Sequence, residues 1–379
     1  MQKRDFLALV GMSLGWGWSA TAGAAALSEP TGKVALATAG ANIVDGQVQA
    51  YWVGVMQPDW SAQRMLRTAV VPVPSRAHGL AALPDGGFVA VANRPGRWLA
   101  RLDAQAQVQN LLTTHDAVRT FEGHVVVSAD GQWLYTTETD PRTGQGWVSV
   151  RDVRSLQTVS EFRTGGSEPH QLLLDATGSL VVANGGVLRA PGDRKIELHR
   201  MDSSLVRIRP ENGERLGQWR LADRRLGLRH MAWNTPLPGQ APLLGIVMQN
   251  EHEDALQRRQ SPLLALWDGT QLQLPAAQGL GDGYAGDIAP TRDGGFLISS
   301  QRAGVVVQWS PQQPETTRVV AQLKEAGALV ALQGGVPGSD VLMSSLNTAG
   351  RWSMQEPGGL LAWPQGVQVD NHWVRLAQS

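Results

Sequence analysis

The sequence lacks several features that usually reveal a protein's chemistry. It contains no cysteine, which excludes disulfides, thiolate metal sites, cysteine nucleophiles and covalently attached haem. Lysine occurs only at positions 3, 33, 195 and 324, and 33 basic residues are balanced by 33 acidic ones. This balance leaves no basic surface of the kind that binds nucleic acid. After residue 30 there is no Gly-x-Ser-x-Gly elbow, phosphate-binding Gly-x-x-x-x-Gly-Lys loop or His-Glu-x-x-His helix, so no such motif indicates a reaction.

The N-terminus predicts export. Lys3 and Arg4 form a basic region, residues 7–18 are modestly apolar, and the small residues at 20–26 offer cleavage sites. The basic pair followed by a Phe-Leu step is similar to a twin-arginine export signal with lysine in the first arginine position. The apolar run is too short and too interrupted by glycine to span a bilayer, and no later run is long enough. We therefore expect residues 1–26 to be a cleaved signal peptide, the mature protein to be periplasmic, and no membrane span.

A short phrase recurs along the rest of the chain. It begins with histidine, continues through apolar residues and ends at a turn that contains glycine. Copies begin at His78, His124, His170 and, more loosely, His230, and a fifth begins with Asp287 instead. Further strand-like runs follow each copy, and the copies begin 46 to 60 residues apart. Four strands in about 40–50 residues are typical of a β-propeller blade, as in WD40 and YVTN-like repeats.

The number of units predicts the architecture. Six units begin between residues 78 and 328, and residues 34–73 hold three more strands without a first one; residues 372–376 could supply it. We therefore predict an all-β fold, a seven-bladed β-propeller of four-stranded antiparallel blades closed by strands from the N- and C-termini. One domain would span residues 30–379, as a monomer, with most of the 14 tryptophans in its core.

The recurring histidines predict a metal site. The first strand of each blade lines the channel of a propeller, so residues at its start meet at one channel mouth. Imidazole nitrogens and carboxylates are ligands for divalent metals. The predicted metal ligands are His78, His124, His170, His230, Glu138 and Asp287, and a wider ring predicted to bind a ligand consists of Asn93, Asn184, Asn250 and Gln301. The histidines outside the pattern, at 115, 199, 252 and 372, are expected at the surface.

The spacing within the phrases leaves a second interpretation open. His78 and His170 lie eight residues before their turn glycine, whereas His124 and Asp287 lie seven before theirs. A shift of one residue turns a side chain to the opposite face of a strand unless a bulge intervenes. The histidines therefore also fit a structural role, in which they hydrogen-bond neighbouring blades.

Several segments resemble a known family. They read Phe121-Glu-Gly-His-Val-Val-Val-Ser-Ala-Asp-Gly131, Tyr135-Thr-Thr-Glu138, Glu168-Pro-His170, Leu228-Arg-His230 and Tyr284-Ala-Gly-Asp287. From about residue 30 to 376 the chain resembles domain-of-unknown-function family 1513, exported proteins that often carry a twin-arginine signal. Genes of this family commonly lie beside those of imelysin-type periplasmic proteins and a di-haem oxidoreductase. The resemblance implies a propeller fold, a periplasmic location, iron or another divalent metal as cofactor, and periplasmic iron-uptake proteins as partners.

Two main functions follow as hypotheses. The first is a non-catalytic periplasmic protein that binds a metal, haem or a partner protein and is linked to iron or other metal uptake. The alternative is a metal-dependent lactonase-type hydrolase with one divalent ion at the same channel mouth. Its ligands would be Asn93, Glu138, Asn184, Asn250 and Asp287. A protein-interaction scaffold without a ligand is a third possibility.

Overall fold

The computed structural model describes residues 34–114, 118–190, 192–277, 280–332, 341–355 and 358–377. In these segments the regular secondary structure is almost all β-strand, with one short α-helix, α1 (Ala255–Gln260), and one turn of 3-10 helix. No described helix has the length and apolarity needed to cross a membrane. The predicted signal peptide, residues 1–26, lies outside the described residues.

Most strands belong to four-stranded antiparallel sheets. Five such sheets are separate, and each contains strands that are close in sequence. They consist of β4 (Ala77–Ala82), β5 (Phe88–Ala92), β6 (Trp98–Leu102) and β7 (Val108–Thr113); β8 (Thr120–Val127), β9 (Trp133–Thr139), β10 (Gln145–Asp152) and β11 (Thr158–Ser167); β12 (Pro169–Leu174), β13 (Leu180–Asn184), β16 (Ser204–Ile208) and β17 (Arg215–Trp219); β18 (Leu226–Trp233), β19 (Leu244–Asn250), β20 (Leu264–Trp267) and β21 (Leu272–Gln273); and β22 (Asp287–Pro290), β23 (Phe296–Ser300), β24 (Val305–Trp309) and β25 (Thr317–Gln322). A small hairpin of β14 (Leu188–Ala190) and β15 (Arg194–Ile196) is inserted between β13 and β16.

The remaining strands form one eight-stranded sheet in which the two ends of the chain meet. Its members are β1 (Leu36–Val44), β2 (Gln47–Asp59), β3 (Arg64–Val73), β26 (Leu329–Ala331), β27 (Val341–Ser344), β28 (Thr348–Trp352), β29 (Gly359–Ala362) and β30 (Val367–Arg375). The C-terminal β30 pairs with the N-terminal β1, from Leu36 opposite Arg375 to Asn42 opposite Val367. β3 and β29 touch through a single parallel pair, so two four-stranded groups make up this sheet.

The backbone conformation of the turns explains why glycine recurs there. Where the first strand of a sheet turns into the second, the glycine has a positive φ of 84°, 70°, 82° and 83° at Gly86, Gly131, Gly178 and Gly294. Glycine adopts this conformation without the steric cost that a Cβ imposes. The repeat found in the sequence is therefore the repeat of this turn.

The core lies between adjacent sheets. Trp98 and Phe88 of one sheet pack in a cluster with Val53 and Val55 of the next. Trp267 packs in another buried cluster of the same kind. Trp52, Trp98 and Trp267 are among the largest side chains that are fully removed from solvent. Large aromatic side chains bury much apolar area, so these tryptophans have the packing role that the sequence predicted.

Candidate metal centre

Five histidines meet where the first strands of the sheets come together. One ligand atom from each of His78, His124, His170 and His230 lies within 4.8 Å of all the others. The ring centroids of these four are 4.5–5.9 Å apart. His372 of β30 completes the group, with its Nε2 3.1 Å from that of His230. All five are at most 7% exposed, and together they form the five-histidine centre.

β-bulges bring these side chains together. The pairing of each histidine's strand with its neighbour skips residues at the histidine: between Ala77 and Leu80, Phe121 and Val125, Pro169 and Leu172, Leu228 and Met231, and Val369 and Trp373. Two unpaired residues occur in β4, β12 and β18, and three occur in β8 and β30. Bulges of different size redirect side chains, and they absorb the one-residue offset between His124 and the pair His78 and His170. β22, which begins at Asp287, pairs without a bulge.

Glycine allows the strands around the centre to approach closely. A Cβ on Gly79 would lie 2.3 Å from the carbonyl oxygen of Gly123, and one on Gly123 would lie 3.0 Å from the His78 ring. Gly123 also has a φ of +100°, which favours glycine. Both glycines therefore set the separation of His78 and His124.

Gly79→Ala should lower the free energy of unfolding by about 3 kcal/mol, because the backbone of β8 must move to accept the methyl group. Urea denaturation followed by tryptophan fluorescence would measure the loss. Gly239→Ala is the matched control: Gly239 has a φ of +81° but no atom within 4 Å of an added Cβ. Its cost should be about 1 kcal/mol from backbone conformation alone. Equal losses for the two variants would contradict the close approach.

Carboxylates lie behind two of the histidines. The Oδ1 of Asp370 is 3.4 Å from Nδ1 of His78, and Arg76 forms an ion pair with the same carboxylate. On the other side, Oδ2 of Asp287 is 3.5 Å from Nδ1 of His372. A carboxylate at one ring nitrogen fixes the tautomer and leaves the other nitrogen for a metal. Asp287 thus lies next to a centre histidine, and its two oxygens also accept the backbone N–H groups of Ile288 and Leu329.

The environment keeps four of the imidazoles, those of His78, His124, His170 and His230, neutral. Burial lowers the pKa of His78 to about 4, although the hydrogen bond with Asp370 acts in the opposite direction. Burial also lowers the pKa of His124, His170 and His230 well below its usual value, and the neighbouring rings lower it further. Neutral imidazole is the form that binds metals.

His124 is the least satisfied member of the centre. It is 4% exposed, and neither Nδ1 nor Nε2 has a hydrogen-bond partner among the described residues. By contrast, Nε2 of His170 lies 2.9 Å from Nε2 of His230. Buried polar atoms without a partner are costly and rare. A ligand bound in the centre would supply His124 with a partner.

The other predicted site side chains contact residues other than the five histidines. Glu138 is in an ion pair with Arg151, 2.6 Å away, and contacts Arg119. Its carboxylate is outside the group that brings the four histidines together in the described residues, so its role as a metal ligand stays a prediction without a supporting contact. The four polar side chains expected to form a ring are hydrogen-bonded to other residues: Asn93 to the carbonyl of Arg94, Asn184 to Ser204, Asn250 to Ser261 and Gln301 to Asn371, the residue before His372.

Sequence reasoning missed His372 and Asp370. The expectation that His372 lies at the surface was wrong: it is 7% exposed and in the centre. One feature of the sequence could have indicated the role of His372. Residues 372–376 were expected to supply the first strand of a blade, and the other centre histidines also lie in first strands. His252 is half-buried, neither at the surface nor in the centre, and its Nε2 lies 2.7 Å from the Asp223 carboxylate. His115 lies outside the described residues.

A cavity of about 290 Å³ lies beside the centre. It is bounded by the loop after β5, the start of β8 and the β14–β15 hairpin, and its wall includes Arg94, Glu122, Glu168 and Arg189. Arg94 links it to the centre, because its Nη1 is 3.4 Å from Nδ1 of His170. Glu122 is 5% exposed, and its Oε2 has no hydrogen-bond partner among the described residues. Burial raises the pKa of the Glu122 carboxyl.

Glu168 gathers three arginines at the wall of this cavity. Its carboxylate lies 3.0 Å from Arg94, 2.5 Å from Arg189 and 2.8 Å from the fully buried Arg229. Burial alone would raise the pKa of Glu168, but the charges of Arg229, Arg94 and Arg189 outweigh it and lower the pKa to about 2. Glu168 is therefore ionised at neutral pH and holds the arginines in place.

Solved structures similar to this chain include β-propellers. A functionally unknown protein from Desulfotomaculum acetoxidans is 9% identical, with a TM-score of 0.59 over 92% of this chain and 100% of that one. A putative 6-phosphogluconolactonase from Bacteroides uniformis is 13% identical, with a TM-score of 0.57 over 89% and 97%. The Dos1 propeller is 16% identical, with a TM-score of 0.51 over 75% and 70%. At these identities the likeness establishes the fold class alone.

Sequence comparison identifies the family. No curated protein matches the chain, but the profile of DUF1513, proteins of unknown function, matches residues 71–376. That range includes all five histidines of the centre and the carboxylates of Asp287 and Asp370. The chain, a β-propeller, therefore belongs to the DUF1513 family.

Proposed function

We propose that this protein binds a first-row transition-metal ion at the five-histidine centre and acts as a metal-binding protein. The observation that carries the proposal is His124, whose two buried ring nitrogens have no hydrogen-bond partner among the described residues. A metal ion would supply a partner to a nitrogen that otherwise remains desolvated and unpaired. The neighbouring neutral imidazoles supply further nitrogen ligands at the same point.

The donor set indicates which metals fit. Imidazole nitrogens suit zinc, copper, iron and nickel, and carboxylate-rich sites suit magnesium or calcium. At metal–nitrogen distances of about 2.0–2.1 Å, two ligand nitrogens lie about 2.9 Å apart at a right angle and about 3.3 Å apart at a tetrahedral angle. The spacings of 2.9 Å between His170 and His230 and 3.1 Å between His230 and His372 lie within this span. An imidazole-rich centre with these spacings suits Cu²⁺, Ni²⁺, Fe²⁺ or Zn²⁺.

The lactonase-type alternative has less support. It needs oxygen ligands from carboxylates and amides at the channel mouth, and those side chains are engaged elsewhere. Glu138 is paired with Arg151, and the amide groups of Asn184 and Asn250 are hydrogen-bonded to serines. The binding hypothesis uses the side chains that do converge.

The blade number, the cellular location and the partners of the protein are also part of this proposal. We infer that the sheets form seven blades closed by the pairing of β1 with β30, and that the mature protein is a periplasmic monomer. A link to iron uptake and to periplasmic iron-uptake partners rests on the family resemblance. Fractionation of cells that express the full chain would test export: the mature protein should be in the periplasmic fraction and lack about its first 26 residues.

The proposal is tested by metal binding to chelator-stripped protein. Purified protein would be titrated separately with Cu²⁺, Ni²⁺, Zn²⁺ and, without oxygen, Fe²⁺, and bound metal measured by mass spectrometry after desalting. We expect one tightly bound ion per chain, with Cu²⁺ tightest. His124→Ala combined with His230→Ala should lower the affinity at least 100-fold, because it removes two ligands.

His252→Ala is the matched control, since His252 is bound to Asp223 outside the centre. It should retain the wild-type stoichiometry and affinity. Binding that is unchanged in the double variant, or lost equally in the control, would contradict the proposal. Failure of all four ions to bind folded wild-type protein would leave the histidines with a structural role.

A further inference from the structure

The cavity beside the centre carries a second inference. We propose that it binds a small hydroxycarboxylate, with the ligand's carboxylate at Arg94 and Arg189 and its hydroxyl at Glu122. At about 290 Å³, it is at the small end of ligand pockets and suits a molecule of about ten heavy atoms rather than a larger cofactor. The β14–β15 hairpin contributes one wall, with Arg189 on it.

The requirement for a carboxylate follows from counting donors and acceptors. The two oxygens of Glu168 already accept contacts from Arg94, Arg189 and Arg229 and from the backbone N–H of Val187. Each guanidinium has five N–H donors, which is more than this carboxylate can accept. Asp193 also contacts Arg94 and Arg189, at 3.7 and 3.3 Å, but it is 38% exposed. Arg189 also donates to the carbonyl of Asp193, and Nη1 of Arg94 contacts His170. The remaining N–H donors of these two guanidiniums, which line the cavity, can bind a ligand carboxylate with favourable geometry.

The requirement for a hydroxyl follows from Glu122. Its side chain lines the cavity, is nearly fully buried, and has an Oε2 atom with no hydrogen-bond partner in the described part of the chain. A ligand hydroxyl can either donate to a carboxyl oxygen or accept from it. The same group on the ligand thus satisfies Glu122 in whichever form it binds.

The cavity adjoins the proposed metal centre but does not depend on it. Arg94 contacts His170 on one side and Glu168 on the other. Glu122 and Glu168 each precede a centre histidine by two residues. The cavity can therefore be tested on chelator-stripped protein, where a failure of metal binding has no effect on the result.

The test is calorimetric titration of chelator-stripped protein with three probes. Malate carries carboxylates and a hydroxyl, succinate lacks the hydroxyl, and glycerol lacks the carboxylates. We expect malate to bind, succinate to bind about tenfold more weakly, the effect of one hydrogen bond to a charged group, and glycerol to give no heat. Glycerol binding as tightly as malate, or no binding of malate at millimolar concentration, would overturn the proposal.

Variants assign the contacts. Glu122→Gln should reduce the malate-to-succinate preference to about twofold and leave succinate binding unchanged. Arg94→Gln should weaken both acids at least tenfold, and Arg94→Lys, which keeps the charge, should recover part of the loss. Arg220→Gln, on an exposed pair with Asp202, should have no effect. Folding of each variant is checked by circular dichroism, and unchanged binding in folded Glu122→Gln and Arg94→Gln would place the ligand elsewhere.

Discussion

Replacing His124 by leucine should make the metal-free protein more stable and the metal-treated protein less so. The change removes two buried nitrogens that have no partner among the described residues and fills the space with an apolar side chain of similar size. Without metal, we expect a gain of about 1–3 kcal/mol in the free energy of unfolding, the usual cost of an unsatisfied buried group. With metal at about 100 times its dissociation constant, the wild type should gain about 2.7 kcal/mol and the variant less than 1 kcal/mol.

Thermal unfolding with and without Cu²⁺ measures both effects. The wild-type melting temperature should rise by about 4 °C on metal addition, because an unfolding entropy of about 2.1 cal/mol/K per residue corresponds to about 1.4 °C per kcal/mol for a chain of roughly 350 residues. His252→Leu should respond to metal as the wild type does, because His252 lies outside the centre. If metal-free His124→Leu is less stable than metal-free wild type, then His124 has a structural role and the metal proposal loses its main support.

Glu168→Gln should destabilise the protein by about 3–5 kcal/mol, the loss expected when one member of a buried ion network is removed. The change keeps the shape of the side chain but removes the charge that faces Arg94, Arg189 and Arg229. Arg229 accounts for most of the loss, because its fully buried charge would keep only Glu251, among the described residues, as a carboxylate partner, at 3.8 Å. Urea denaturation followed by tryptophan fluorescence gives the change in midpoint.

Glu161→Gln serves as the comparison. Glu161 also pairs with an arginine, Arg119, but is 41% exposed, so its loss should cost less than about 1 kcal/mol. A double variant, Glu168→Gln with Arg229→Met, should recover part of the stability, because it removes the most deeply buried cation together with its anion. Equal midpoints for Glu168→Gln and Glu161→Gln would contradict the role assigned to the buried network.

The sequence was informative where the physics is local and repeated. The turn glycines, such as Gly86 and Gly131, need a positive φ that other residues adopt at a cost, so they recur and mark the sheets. The histidines at 78, 124, 170 and 230 recur because each lies in the first strand of a sheet, and the structure brings all four together. An all-β fold of four-stranded sheets and the place of these histidines were therefore accessible from spacing alone.

Features that depend on the register of strands and on partners far apart in sequence were not accessible. Spacing to the turn suggested that His124 faces away from His78, but bulges of different size bring both rings into one centre. Glu138 was expected beside the histidines, and its carboxylate pairs with Arg151 on the adjacent strand. No local pattern shows which of two nearby groups a buried carboxylate will contact, since that choice depends on side-chain distances across strands.

The repeat, the sheets and four of the five histidines could be predicted from the sequence, because turn chemistry and alternating apolar residues act over a few neighbouring positions. Only the tertiary structure added His372 and Asp370, from a strand about 330 residues away from its partner β1 along the chain. It also decided that Glu168 holds three arginines beside a cavity. These contacts join distant segments, and their geometry is fixed by how the sheets pack rather than by any residue's neighbours in sequence.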